Sequence, residues 1–122
     1  MPVVASKRKR IAAASAMLDL DAYWSDTFGE IGLNDLNYSD LFFQMWLNQE
    51  RALSKTGLYD FMPGISRRTA VKYVQELIDR ELLHEQSAAE DRRVRYVTLS
   101  KDIAARLERY LDYASERLGK LS

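Results

Sequence analysis

The chain has 122 residues, with 18 Lys and Arg, 18 Asp and Glu, and a formal net charge of zero at pH 7. This length predicts one domain. Because the net charge is zero, nucleic-acid binding cannot be argued from the charge of the whole molecule. Such an argument must rest on local clusters of cations. The absence of cysteine excludes disulfides, thiolate zinc sites and thiol catalysis, and one histidine, His84, leaves little for metal binding or catalysis.

Targeting and catalytic motifs are also missing from the sequence. Its uncharged apolar runs fall far short of the roughly 20 residues of a membrane span, and the N-terminus lacks the apolar core of a signal peptide. We find no Gly-rich phosphate loop, nucleophile elbow or metal-ligand spacing. We therefore expect a cytoplasmic protein that is not an enzyme, with no cofactor and no membrane partner.

The chain begins with a short basic segment. Met1–Ser6 has no regular pattern, and Lys7, Arg8, Lys9 and Arg10 follow as four consecutive cations. One interpretation is a solvated terminus, and the other is an arm that contacts phosphates or a minor groove. We predict a flexible basic arm over residues 1–10 and a single domain over residues 11–122.

Two helices are predicted next. Ile11 to about Trp24 is rich in helix formers and carries an apolar face that includes Met17 or Leu18. A loop over residues 25–38 follows, and Ser39 is the predicted N-cap of a second helix. The buried face of that helix is predicted to contain Leu41, Phe42, Met45 and Trp46, with Leu47 as a further candidate. The aromatic residues of this half either line a pocket or form core, and core is the better explanation: Tyr23, Trp24, Phe28 and Trp46.

The segment from Lys55 to Leu83 has the pattern of a helix-turn-helix. A short helix over residues 55–62 is stopped by Pro63-Gly64, and Ser66 is placed to cap the next helix. Apolar residues recur at helical spacing and predict a buried stripe of Val71, Val74, Leu77 and Ile78. The opposite face carries Arg68, Thr69, Lys72 and Tyr73, with Arg67 at its entrance. Cations and hydroxyls at the positive end of a helix dipole favour binding to a polyanion.

After Leu83 the residue pattern changes from helical spacing to the two-residue alternation of a β-strand. Residues 84–87 and 93–99 alternate as strands and are joined by a polar loop, which predicts a β-hairpin. Ser100 is the predicted cap of a last helix. Its apolar seam from Ile103 to Leu121 is long for a small domain, and a partner subunit would cover it. The predicted fold class is mainly α with a small β-hairpin wing, a winged helix-turn-helix that dimerises through its N- and C-terminal helices.

Three motifs resemble the MarR family of bacterial regulators. They are Ile65-Ser66-Arg67-Arg68-Thr69-Ala70-Val71, Glu90-Asp91-Arg92-Arg93 and Val97-Thr98-Leu99-Ser100. The resemblance implies a homodimer that binds double-stranded DNA, with one recognition helix in each major groove and wings in the flanking minor grooves. Two features depart from the family pattern: Glu81-Leu82 stands where a glycine is usual, and one long helix follows the wing where members often have two.

Site residues follow from the resemblance by position. Asp91 would orient Arg93 at the wing tip by a charge-assisted bond, and Arg92 and Arg95 would add phosphate contacts. The residues expected to face the major groove are Ser66, Arg67, Arg68, Thr69 and Lys72, with Tyr73 beside them.

Two functions remain open from the sequence. The first is a sequence-specific, dimeric DNA-binding transcriptional regulator, controlled by a small-molecule or protein effector that the sequence does not identify. The second is a winged-helix module that binds another protein, since a fold does not fix a function. The zero net charge favours this alternative, as do acidic residues beyond the cationic helix start: Glu76, Asp79, Glu81 and Glu85.

Overall fold

A computed structural model describes residues 6–121 of the chain. Within that range the helices are α1 (Lys7–Phe28), α2 (Leu36–Leu47), α3 (Lys55–Tyr59), α4 (Arg67–Asp79) and α5 (Lys101–Gly119), with a short 3₁₀ helix at Gly29–Ile31. The strands are β1 (Leu83–Ser87) and β2 (Arg95–Leu99). This order confirms the predicted fold class, mainly α with one β-hairpin.

The chain divides into two compact units. The first, called the terminal-helix unit here, contains the residues up to Asn34 and those from Arg106 onward. The second, the winged-helix unit, is Asp35–Ala105 and contains α2, α3, α4 and the hairpin. Each unit has its own set of buried side chains, and the single domain expected over residues 11–122 stays a prediction.

Helix α1 begins inside the segment that was predicted to be a flexible arm. Ser6 caps this helix, its hydroxyl accepting a hydrogen bond from the backbone N–H of Lys9 at 3.2 Å. Lys7, Arg8, Lys9 and Arg10 therefore form the first helical turns, because a serine stands one residue before the cationic run. The part of the predicted arm over residues 1–5 lies outside the described residues.

The terminal-helix unit is organised around aromatic stacking. Trp24 and Phe28 are buried with their ring centroids 4.1 Å apart, and the indole N–H of Trp24 donates to the carbonyl of Leu33 at 2.9 Å. Tyr23 of α1 stacks on Tyr113 of α5 at 4.3 Å. Tyr23 and Trp24, which make these contacts, belong to the predicted apolar face of α1. Three other residues predicted for that face are exposed, Ile11 by 58%, Met17 by 66% and Leu18 by 69%.

Helix α2 begins four residues earlier than predicted. Its N-cap is Asp35, whose Oδ1 accepts from the backbone N–H of Asn37 at 2.8 Å. Ser39, the predicted cap, lies inside the helix, and its hydroxyl donates to the carbonyl of Leu36 at 2.8 Å. Asp35 acts earlier because a carboxylate is also a strong N-cap and Leu36 continues the helix. Leu41, Phe42 and Met45 are buried as predicted, whereas Trp46 is half-buried and Leu47 is 71% exposed.

Helix α4 has the predicted start and a shifted buried stripe. The Ser66 hydroxyl accepts from the backbone N–H of Thr69 at 3.2 Å, which confirms the cap. Ala70, Val74 and Leu77 are buried, at spacings of four and three residues. Val71 was predicted to be buried and is 40% exposed, because Ala70 faces the core in its place.

Helix α4 ends in a tight hydrogen-bonded motif. The N–H of Leu82 donates to Leu77 and that of Glu81 to Ile78, both at 2.9 Å, which is the Schellman pattern. Glu81 lies in the left-handed region at φ 60°. The position therefore has the backbone conformation that glycine usually supplies, and this chain fills it with glutamate.

The hairpin is antiparallel, with Leu83 opposite Leu99 and Ser87 opposite Arg95. One face carries the buried Leu83 and Val97. The N–H of Val97 also donates to the carbonyl of Leu53 at 2.7 Å, so the inner edge of β2 is held by the chain just before α3. Ser100 caps α5 through its hydroxyl, which accepts from Ile103 at 3.1 Å, as predicted.

Over residues 6–121, none of the helices combines the length and apolar character that a bilayer crossing requires.

Replacing Glu81 with glycine is expected to stabilise the chain. A side chain at φ 60° is strained, whereas glycine adopts this conformation freely. We expect Glu81→Gly to raise the free energy of unfolding by about 0.5–1 kcal/mol in urea titrations. Glu81→Ala keeps the β-carbon and is the matched control. An equal gain from alanine would show that the glutamate side chain, and not the backbone, is the source of strain.

Asp35 is expected to make α2 sensitive to acid. The N–H of Asn37 lowers the pKa of Asp35 below its ordinary value of 3.8, and the bond from Tyr73 adds to this effect. Its contribution is therefore complete above pH 3.8 and is lost as the pH falls through the lower folded value. Asp35→Ala should cost about 1 kcal/mol of unfolding free energy at neutral pH. Asp35→Asn retains a capping oxygen, so a loss as large as that of alanine would contradict the capping role.

Candidate nucleic-acid interface

The exposed stripe of α4 presents two cations. Arg68 and Lys72 are both exposed and are four residues apart, so they lie on the same face of the helix. Within residues 6–121 neither has a hydrogen bond or an ion pair. Their charges are therefore available to an external anion. This is the strongest local concentration of unpaired positive charge on α4.

Other predicted residues of α4 are engaged within the chain. The Ser66 hydroxyl caps the helix and also donates to Oγ1 of Thr69 at 3.0 Å. The guanidinium carbon of Arg67 lies 5.3 Å from the centroid of the Tyr59 ring, in a cation–π contact with α3. At the start of α4, the side chains of Ser66, Thr69 and Arg67 therefore already have partners within the chain.

Tyr73 connects α4 to the start of α2. Its hydroxyl donates to Oδ2 of Asp35 at 2.8 Å, and its ring stacks on the buried Tyr38 with centroids 4.9 Å apart. The bond to Asp35 raises the pKa of Tyr73 above 10.0. The predicted DNA-contact residue therefore has a clear internal role, which is to fix the direction of α4 relative to α2.

The wing loop presents an oriented arginine. Oδ1 of Asp91 accepts from the backbone N–H of Arg93 at 2.9 Å and from its Nε at 3.2 Å, while Oδ2 accepts from Nη2 at 3.1 Å. These bonds lower the pKa of Asp91 and keep it ionised. The Arg93 side chain remains 91% exposed. The bond predicted between Asp91 and Arg93 is present, and it leaves the guanidinium open to solvent.

The remaining wing cations differ from each other. Arg92 is exposed and, among the described residues, has no hydrogen bond or ion pair. Arg95 is paired, with its Nε 3.5 Å from Oε2 of Glu85. The same oxygen lies 3.4 Å from Nζ of Lys55. Sequence reasoning missed Lys55 and Glu85, and the cross-strand register is the signal that would have paired Glu85 with Arg95.

A small cleft lies within the winged-helix unit. Its volume is about 220 Å³, and its lining is largely apolar with Arg51 as its charged member. Trp46 lines the cleft, whereas Trp24 and Phe28 are packed in the other unit. The full lining is Met45, Trp46, Gln49, Arg51, Leu53, Val97, Thr98, Leu99 and Ala104.

Among residues 6–121, no three His, Asp or Glu side chains are grouped closely enough to hold an ion.

No protein-family model matches the chain, and no curated protein matches it. Solved structures do. A crystal structure of a MepR mutant from a multidrug-resistant S. aureus clinical isolate is 14% identical, with a TM-score of 0.74 over 99% of this chain and 83% of that chain. BpsR of Bordetella bronchiseptica, whose DNA binding is regulated by 6-hydroxynicotinic acid, is 21% identical, with a TM-score of 0.51 over 99% of this chain and 84% of that chain.

A third similar structure contains nucleic acid. The transcriptional repressor CouR, bound to a 23-mer DNA duplex, is 21% identical, with a TM-score of 0.51 over 87% of this chain and 72% of that chain. At these identities the likeness concerns the fold. The chain has the MarR-type winged-helix fold, as the motifs in its sequence implied.

Proposed function

We propose that this chain is a sequence-specific DNA-binding transcriptional regulator that acts as a homodimer. Helix α4 would enter the major groove and the hairpin loop the minor groove. The observation that carries the proposal is the pair of unpaired cations, Arg68 and Lys72, on the exposed stripe of a helix capped at both ends. The likeness to CouR, which is bound to a DNA duplex, supports it.

The two halves of the interface have different roles in this mechanism. A narrow minor groove concentrates negative potential, and Arg93, held by Asp91 and almost fully exposed, suits that place. Phosphate contacts from Arg92 and Lys72 would supply affinity without sequence preference. Arg68, in the first turn of α4, would read a base edge, and an arginine bound to guanine typically carries ~1–3 kcal/mol of discrimination.

Exposed apolar side chains on α1 support the homodimer. Ile11 and Leu18 are seven residues apart on one helix face and are 58% and 69% exposed. Leu118 of α5 is 47% exposed. Large exposed apolar residues on two terminal helices are typical of an interface with another subunit. We infer that a second copy of the chain covers them.

Another function has one observation in its favour. Leu36 and Leu47 of α2 are 76% and 71% exposed, and their separation of eleven residues puts them on one helix face. Phe43 lies between them, and Phe61 and Pro63 border the same surface. This apolar strip fits a winged-helix module that binds another protein. A folded dimer that fails to bind duplex DNA at low salt would favour this function over the proposed one.

Salt titration of binding to random duplex DNA tests the DNA face. Each phosphate contact adds about 0.9 to the slope of log affinity against log salt. We expect a steep inverse slope for the natural chain and a slope lower by about 1.8 for Lys72→Ala/Arg92→Ala, which removes the two proposed phosphate contacts. Arg109→Ala, which removes an exposed cation from α5, is the control for loss of charge. Equal slopes for all three proteins would overturn the assignment of α4 and the wing.

Light scattering on two leucine variants tests the dimer. Leu18→Glu places a charge on the proposed subunit interface and is expected to give monomers, because a buried unpaired charge is costly. Leu47→Glu changes an equally exposed leucine of α2 and is expected to leave the dimer intact. Dissociation by Leu47→Glu alone would move the interface to the winged-helix unit.

A further inference from the structure

Glu85 is shared by two cations. Its Oε2 lies 3.4 Å from Nζ of Lys55 and 3.5 Å from Nε of Arg95. The Glu85 side chain is 18% exposed, compared with 33% for Lys55 and 56% for Arg95. The carboxylate of Glu85 is thus more buried than either of the two cations that it pairs with. We call this group the Glu85 cluster.

The hairpin register explains how the cluster forms. Glu85 is opposite Val97 and lies on the same face as Leu83, because side chains two residues apart in a strand share a face. Arg95 is two residues from Val97, and is therefore the diagonal neighbour of Glu85. Lys55 arrives from another direction, since the Leu53 carbonyl is bonded to Val97 at 2.7 Å and places the start of α3 beside β2.

The cluster also contacts the recognition helix. Nζ of Lys55 donates to Oε1 of Gln75 at 3.2 Å, and Nε2 of Gln75 donates to Oδ1 of Asp79 at 2.9 Å. Gln75 is three residues beyond Lys72 and seven beyond Arg68, on the same exposed stripe of α4. The Glu85 cluster therefore adjoins the surface that is proposed to face DNA.

Lys55 and Arg95 differ from the other cations of that surface in having an anionic partner. Arg68, Lys72 and Arg92 have no ion pair within residues 6–121, whereas Lys55 and Arg95 share one carboxylate. The cluster carries one net positive charge instead of two. If Arg95 turned toward a phosphate, Glu85 would remain on its strand as a partly covered anion close to the DNA, where the low exposure weakens screening. This arrangement opposes phosphate binding by the cluster.

We propose that Glu85 limits non-specific DNA binding by holding Lys55 and Arg95 away from phosphates. The proposal rests on the proposed function. It changes the role expected for Arg95, which the sequence suggested as a phosphate contact. Affinity then depends more on Arg68 and Arg93, whose positions on α4 and the wing are fixed by their own local structure. Glu85 is a specificity-determining residue in this scheme.

Charge removal at Glu85 provides the test. Glu85→Gln keeps the side-chain shape, and we expect it to steepen the salt slope on random duplex DNA by about 0.9–1.8, corresponding to one or two new phosphate contacts. Between 50 and 200 mM salt this means an affinity loss about 3- to 12-fold larger than that of the natural chain. Glu90→Gln removes the same charge from the wing loop, where Glu90 has no bond among the described residues. Equal steepening by both variants would overturn the proposal.

A second variant keeps the test valid if Glu85→Gln does not fold, which circular dichroism will show. Arg95→Ala alone should leave the slope of the natural chain nearly unchanged, because Arg95 is already withheld from phosphates. A slope reduced by about 0.9 would show that Arg95 contacts a phosphate and would overturn the proposal. If the natural chain binds no DNA, the proposed function fails as well. If it binds and Glu85→Gln matches it, only the role of Glu85 fails.

Discussion

Burial of the Ala70, Val74 and Leu77 stripe determines which side chains of α4 reach solvent. A helix turns by 100° per residue, so fixing one face against the unit core fixes every other position. The Ser66 cap and the Schellman motif at Glu81 set where this helix begins and ends. The exposed positions of Arg68 and Lys72 are consequences of that packing. Any ligand of this face meets a helix with little rotational freedom.

Electrostatics on this protein is local. Equal numbers of acidic and basic residues give no attraction for a polyanion at long range. What matters is how each cation is partnered. Some are held by an aromatic ring or a carboxylate, as Arg67 and Arg95 are, and others project without a partner in the described chain. A neutral protein can in this way concentrate a small positive surface and still avoid the strong non-specific binding of a basic one.

Two apolar surfaces among the described residues belong to different units. The terminal helices expose Ile11 and Leu18, and α2 exposes Leu36 and Leu47. A surface of this kind is uncommon on a protein that works alone. The first set supports self-association of the terminal helices, and the second provides a separate place for a protein partner.

The sequence by itself determined the features that depend on neighbours a few residues away. Ser66 and Ser100 were identified as caps because a cap bonds to an amide three residues later. The Asp91–Arg93 pair is likewise local, because only Arg92 lies between its two partners in the chain. Helix order and the hairpin followed from periodicity, and these together gave the winged-helix fold. The start of α2 was missed because Asp35 and Ser39 are both good caps and only one can act.

The tertiary structure alone decided which cations are free. Arg67, Arg68, Lys72, Arg92 and Arg95 look equivalent in a sequence, since each is a basic residue in a polar stretch. Their differences come from contacts between distant segments, such as Lys55 with Gln75, twenty residues apart, and Asp35 with Tyr73, thirty-eight residues apart. Periodicity places a side chain on a face but does not say which residue of another element lies opposite. Packing and strand register determine which residue lies opposite each cation. They therefore determine which cations are paired and which are available to a ligand.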